Sequence, residues 1–246
     1  MIPAMTNLPE IRPSKSGGVL GLTFSLFVKN AAALLLITAI TIVPVEIIVC
    51  YGFSDLSIDN FLKDMIISQL FLTLLTPAVV YYLIERLRGG KGSVADAYRW
   101  GLRKWLRMIM YNFLQGVILS AGFLLFVIPG LFMYARLLLL PAVVSIENTS
   151  VTNPLESSRN MAVGQFWRFI GLGAAINLFS FFLGWGASKW LVESGNINGI
   201  TVTAYYLFID WVSLIGVTLS LVLYLKIRTE QNAAAAQAAE EAAVTA

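Results

Sequence analysis

Three charged side chains fall inside long apolar runs: Glu46, Arg136 and Asp210. In hydrocarbon each costs roughly 2.5–3.5 kcal/mol or more unless it meets a partner or water. Glu46 lies about five residues from the outer end of its run, Arg136 about six and Asp210 about seven, which puts all three roughly 8–11 Å below one edge at about 1.5 Å per residue. The shared depth predicts a cluster with Arg136 held between two carboxylates. Such a cluster can fix helix packing or couple a proton or ligand in a transporter. Four prolines are expected to break the apolar runs: Pro44 beside Glu46, Pro77 and Pro141 within spans, and Pro129 in a tight hairpin.

A second group of candidates is basic. Arg86, Arg88, Arg99, Arg103, Lys104 and Arg159 lie just outside apolar runs, where they can meet lipid phosphates. Glu85 and Glu147 sit nearby, so interfacial ion pairs are the simpler expectation. Other chemistries are excluded by residue type. The chain has no histidine, which removes His bases, His metal sites and His-containing triads. Its single cysteine, Cys50, cannot form an internal disulfide. A P-loop, a Gly-x-Ser-x-Gly elbow and a dinucleotide fingerprint are all missing. No cofactor, metal or catalytic residue is therefore expected.

The elements that must position these residues follow from composition. Of 246 residues, 58% are apolar and 13% charged, and the mean hydropathy is +0.77. A soluble domain carries about 25% charge, so half the usual charge would have to cover the surface. Six runs are long and apolar enough to span a bilayer: 31–51, 65–84, 108–128, 131–146, 169–191 and 203–225. They lack period-2 alternation, which argues against a barrel. The expectation is an all-α polytopic protein with a polar N-terminal segment (1–16), one six-helix domain (17–228) and an Ala/Glu-rich tail (229–246) that frays for want of an apolar face. The N-terminal segment has no apolar core and does not read as a signal peptide. Fourteen Lys and Arg fall on one side of these spans and only Lys63 and Lys189 on the other. Both termini are therefore expected in the cytoplasm of a cell (inner or plasma) membrane. The net charge of +3 reads as topology and attraction to anionic lipid, with no nucleic-acid partner.

The chain also repeats itself. Pro77-Ala78-Val79-Val80 recurs as Pro141-Ala142-Val143-Val144. A helix-start signal follows each copy, Ser93 with Asp96 and Asn153 with Pro154 and Glu156. Trp105 and Trp167 then mark the entrances to the next spans, and 17–28 is a similar prelude to the first. The unit is a short interfacial helix followed by a two-span hairpin, used three times. In the second prelude Val94, Ala97, Tyr98, Gly101, Leu102 and Trp105 share an apolar face, and Asp96, Arg99, Arg103 and Arg107 share the polar one. Trp100, Trp105, Trp167, Trp185 and Trp190 read as interface anchors, with Trp211 a packing residue. The hairpin between spans three and four is little more than Pro129-Gly130, and the first outer loop, 52–64, is acidic.

One stretch resembles a known family. Val127-Ile128-Pro129-Gly130-Leu131-Phe132-Met133-Tyr134-Ala135-Arg136, Leu140-Pro141-Ala142-Val143-Val144, Glu147, Leu155-Glu156-Ser157-Ser158-Arg159 and Gly164-Gln165-Phe166-Trp167 follow in order. The series resembles the prokaryotic six-span superfamily that includes the membrane domain of glycerophosphoryl diester phosphodiesterases and the YciC-like inner-membrane proteins. The likeness is strongest over 120–175, and Pro154-Leu155 stands where the family commonly has Ala-Leu. It implies a six-span fold. It does not carry the phosphodiesterase activity, which belongs to a separate catalytic barrel using metal and His. The expected function is non-enzymatic: lipid or protein contacts in envelope or membrane organisation, with lipids, a membrane-protein partner or a second copy as partners. The alternative is a small transporter or lipid translocator using Glu46, Arg136 and Asp210.

Overall fold

A computed structural model describes residues 8–9, 18–52, 58–148, 151–195 and 198–245. Among these the chain forms nine helices and no strand. They are α1 (Val19–Lys29), α2 (Ala31–Gly52), α3 (Ile58–Leu87), α4 (Val94–Leu125), α5 (Val127–Leu137), α6 (Leu140–Ile146), α7 (Pro154–Met161), α8 (Phe166–Glu193) and α9 (Gly199–Thr245). Six segments are long and apolar enough to cross a membrane, with α5 and α6 together making one of them. Most of the polar N-terminal segment and 53–57 of the first outer loop lie outside the described residues. The rest of that loop belongs to α3, which starts at Ile58, seven residues before the apolar run expected at 65.

The core forms where α3, α6 and α9 meet. Ala78, Val79, Val80, Leu83 and Ile84 of α3, Ala142, Val143 and Val144 of α6, and Leu221, Leu223 and Tyr224 of α9 are all essentially inaccessible. Both Pro-Ala-Val-Val copies thus lie in the packed centre, on helices that touch each other. Between helices in hydrocarbon it is this close van der Waals packing, rather than withdrawal from water, that holds them together. By contrast α4 and α8 turn long apolar faces outward, including Leu106, Phe113, Leu124, Phe181 and Trp185.

The three preludes take three different forms. Asn30 alone separates α1 from α2. The turn between α7 and α8 uses Gly164 at φ +76, a left-handed geometry that glycine adopts freely. The second prelude is not a separate interfacial helix, because α4 runs unbroken from Val94 to Leu125, about 48 Å at 1.5 Å per residue. No Pro lies between Tyr98 and Ile128, and Gly101 is spent on packing. A Cβ there would lie 3.1 Å from the Leu74 carbonyl and 3.2 Å from the Ala78 Cβ, so glycine lets α4 lie directly on α3. The face assignment also needs correcting. Leu102 is exposed, whereas Trp100 and Lys104 are buried.

Of the four expected breaks, only Pro141 coincides with one, at the α5–α6 junction. Pro44 and Pro77 lie inside continuous α2 and α3. A proline removes one intrahelical bond, and a packed helix absorbs that loss without ending. Pro129 sits in the first turn of α5, where its missing N–H costs nothing. The α4–α5 turn is at Phe126, which is extended at φ −169. Residues 229–245 continue α9 as helix, although 231–243 are exposed. Their high alanine content supplies intrinsic helix propensity without tertiary contacts.

Candidate functional site

The structure does not assemble the intramembrane cluster. Trp211 donates its Nε1–H to the Ala31 carbonyl at 3.1 Å and packs its ring 5.1 Å from that of Phe27. Asp210, its neighbour on α9, is therefore level with the first turn of α2. Glu46 is buried at 5% exposure, fifteen residues further along the same helix. That is about 22 Å along the axis. Arg136 lies elsewhere again, since α5 packs mainly on α4, α7 and α8. Among the described residues no ion pair joins Arg136 to either carboxylate. Equal depth assumed that the helices stand in register along one axis. The α2–α9 contact breaks that assumption.

The six basic candidates also separate. Arg86 donates Nε–H to Asn30 Oδ1 at 3.0 Å and reaches the Gly90 and Lys91 carbonyls, tying the α1–α2 junction to the loop after α3. Arg88 pairs with Glu85 at 2.7 Å. Arg99 pairs with Asp96 at 3.1 Å on an exposed face, and Arg103 is exposed beside it. Lys104 points inward, 8% exposed, and donates to the Glu147 main-chain carbonyl at 2.6 Å. Arg159 joins Arg136, as described below.

The residue that sequence reasoning undervalued is Glu147. It follows the second Pro-Ala-Val-Val copy and is the extended C-cap of α6, its N–H donating to the Val143 carbonyl. Its Oε2 accepts from Ser157 Oγ at 2.9 Å and from Thr152 Oγ1 at 3.3 Å, and its Oε1 accepts from the Tyr224 hydroxyl at 3.2 Å. One turn apart on α4, Trp100 and Lys104 cap the last carbonyls of α6, Trp100 donating to Ser145 at 3.0 Å. A cation at this end also meets the negative pole of the helix dipole. Glu147 thereby ties α4, α6, α7 and α9 together. The i, i+4 spacing of Trp100 and Lys104 was the available signal.

Both capping signals read from the sequence are in place. Ser93 Oγ accepts from Asp96 N at 3.2 Å, and Asn153 Oδ1 accepts from Leu155 N at 3.2 Å. The cap at Asn153 starts α7, and α7 lines a cavity that carries charged and amide side chains. Its Ser158 donates to the Arg136 carbonyl at 2.8 Å, docking α7 on α5. Beside that contact lies a cleft of about 500 Å³ lined by Arg136, Arg159, Glu156, Asn153 and Asn160, with Ile118, Met133, Leu137 and Leu155 as apolar walls. Arg136 stacks over the Phe132 ring, its guanidinium carbon 4.0 Å from the centroid.

A wider recess of about 790 Å³ between α8 and α9 is lined by Phe181, Trp185, Tyr205 and Ile209 among others and carries no charged side chain. Asn177 at its edge donates to the Tyr134 hydroxyl at 2.8 Å. Among the described residues no group of His, Cys, Asp and Glu is arranged to hold a metal ion. Set against known proteins, the chain matches no family model, no curated protein and no solved structure.

Proposed function

We propose that the chain is a multi-pass integral membrane protein of a cell (inner or plasma) membrane, with its N-terminus cytoplasmic, that works without catalysis through lipid or protein contacts in membrane organisation. The observation that carries this reading is the outward face of α4 and α8. Leu106, Met110, Phe113, Leu124, Leu178, Phe181 and Phe182 are exposed along helices long enough to cross a bilayer. In water such a surface would exceed the apolar patch of an ordinary monomer. The cytoplasmic placement rests on the fourteen-to-two Lys and Arg bias. Membership of the six-span superfamily rests on the motif series over 120–175 alone.

The translocator reading drew its mechanism from Glu46, Arg136 and Asp210 meeting. With Asp210 level with Ala31, that mechanism has no assembled site. Two measurements test the favoured reading. Membranes carrying the protein, washed at alkaline pH, should retain it until detergent is added; release by alkali overturns it. With Cys50 replaced by serine, a single cysteine placed at Arg103 should react with a membrane-impermeant maleimide only from the cytoplasmic side, and one at Lys63 only from the other. The reverse pattern overturns the orientation.

A further inference from the structure

Arg136 and Arg159 are the two guanidiniums of one cleft, yet neither lies within 4.0 Å of a carboxylate among the described residues. Glu156 shares the cleft without pairing with either. Arg136 is half-buried, with its guanidinium stacked on the Phe132 ring. A guanidinium withdrawn from water without a counter-ion is costly, and an anion from outside removes that cost. The cleft carries two positive charges against one negative, so a singly charged anion would neutralise it.

The other lining groups define the ligand. Asn153 uses its side-chain oxygen to cap α7, which leaves its amide N–H₂ free to donate. Asn160 adds a second amide. Two guanidiniums and two amides present donors in number and no apolar cation cage, the arrangement that suits the several oxygens of a phosphate. The rest of the lining is apolar: Ile118 from α4, Met133 and Leu137 from α5, and Leu155 from α7. A volume of about 500 Å³ falls within the range of small-molecule sites, roughly 300–1,000 Å³. A lining that mixes these donors with apolar side chains, at the junction of spanning helices with the polar α7, fits the phosphate end of an amphiphile.

We infer that the α4–α5–α7 cleft binds a singly charged phosphodiester, held by Arg136 and Arg159. This deepens the lipid-contact reading above and rests on it. The same chemistry is offered by an anionic phospholipid headgroup and by a soluble glycerophosphodiester, and the test separates them.

The full-length protein is reconstituted in nanodiscs of phosphatidylcholine containing a minor fraction of phosphatidylglycerol, and retained lipid is read by native mass spectrometry. The wild type should retain phosphatidylglycerol in preference to phosphatidylcholine. R159Q, on the exposed face of α7, should lower that retention about tenfold, the loss of one charge-assisted contact. R136Q should do the same, and E156Q should raise it. R99Q, outside the cleft, should leave it unchanged. Added glycerophosphoglycerol that displaces the lipid only from the wild type assigns the site to the shared phosphodiester. Binding of that soluble probe by the wild type and not by R159Q, with no lipid preference, assigns it to the soluble source. Equal retention by wild type, R159Q and R136Q, with no binding of the soluble probe, overturns the inference while the protein's presence in the nanodisc leaves the membrane reading standing. Failure to enter nanodiscs at all overturns the membrane reading itself.

Discussion

The ammonium of Lys104 donates to the main-chain carbonyl of Glu147 across 2.6 Å, joining the first turns of α4 to the end of α6. A lysine expected among lipid headgroups is instead a C-cap. Lys104→Met keeps much of the side-chain volume and leaves the carbonyl without a donor. The protein should lose about 1–3 kcal/mol, the cost of an unsatisfied buried acceptor, read as a lower Tm in detergent. Lys104→Arg should recover part of it. An unchanged Tm in Lys104→Met rejects the cap.

The carboxylate of the same Glu147 joins three elements through Ser157, Thr152 and Tyr224. Ser157→Ala and Tyr224→Phe each remove one donor and should cost on the order of 0.5–1.5 kcal/mol. Each should become nearly neutral in a Glu147→Ala background. A double-mutant cycle therefore gives positive coupling, and additive effects would show that the network stores no shared energy.

Glu46, Arg136 and Asp210 give the opposite expectation. Since Asp210 is level with Ala31, about 22 Å along α2 from Glu46, Glu46→Gln and Asp210→Asn should add within about 0.5 kcal/mol. Arg136→Gln should add to either. Coupling well above that value would restore the cluster and the translocator mechanism with it.

At Gly101 α4 lies directly on α3. A methyl group at that position meets the Leu74 carbonyl at 3.1 Å and Ala78 Cβ at 3.2 Å, one a main-chain atom and the other fixed to the main chain. Gly101→Ala gains helix propensity of about 1 kcal/mol but must separate the helices. Overpacking of this kind costs about 1–3 kcal/mol, so the net change is expected to be small or unfavourable. Gly101→Leu should lower the Tm strongly. A stable Gly101→Leu protein would show that the two helices are not packed through this point.

Much of the helical layout was legible without coordinates because it depends on local properties. Continuous apolar runs locate six membrane-length segments, and the Ser93 and Asn153 caps locate two helix starts within a residue. Where reading failed, the deciding term was still local but competitive. Pro44 and Pro77 were tolerated inside helices, the turn moved to Phe126, and the Ala-rich tail held its helix.

The sequence by itself determined the class of the protein: too few charges and too many apolar runs to be anything but helical and membrane-length, with its histidine chemistry excluded outright. The tertiary structure alone decided which polar residues meet. Depth along one helix is set by counting, but depth relative to another depends on how the two slide and cross. Side-chain packing sets that, as at Gly101 on α3 and at Trp211 on Ala31. That sliding took Asp210 away from Glu46, turned Lys104 inward to Glu147, and left Arg136 beside Arg159 in a cleft that no spacing in the chain announces.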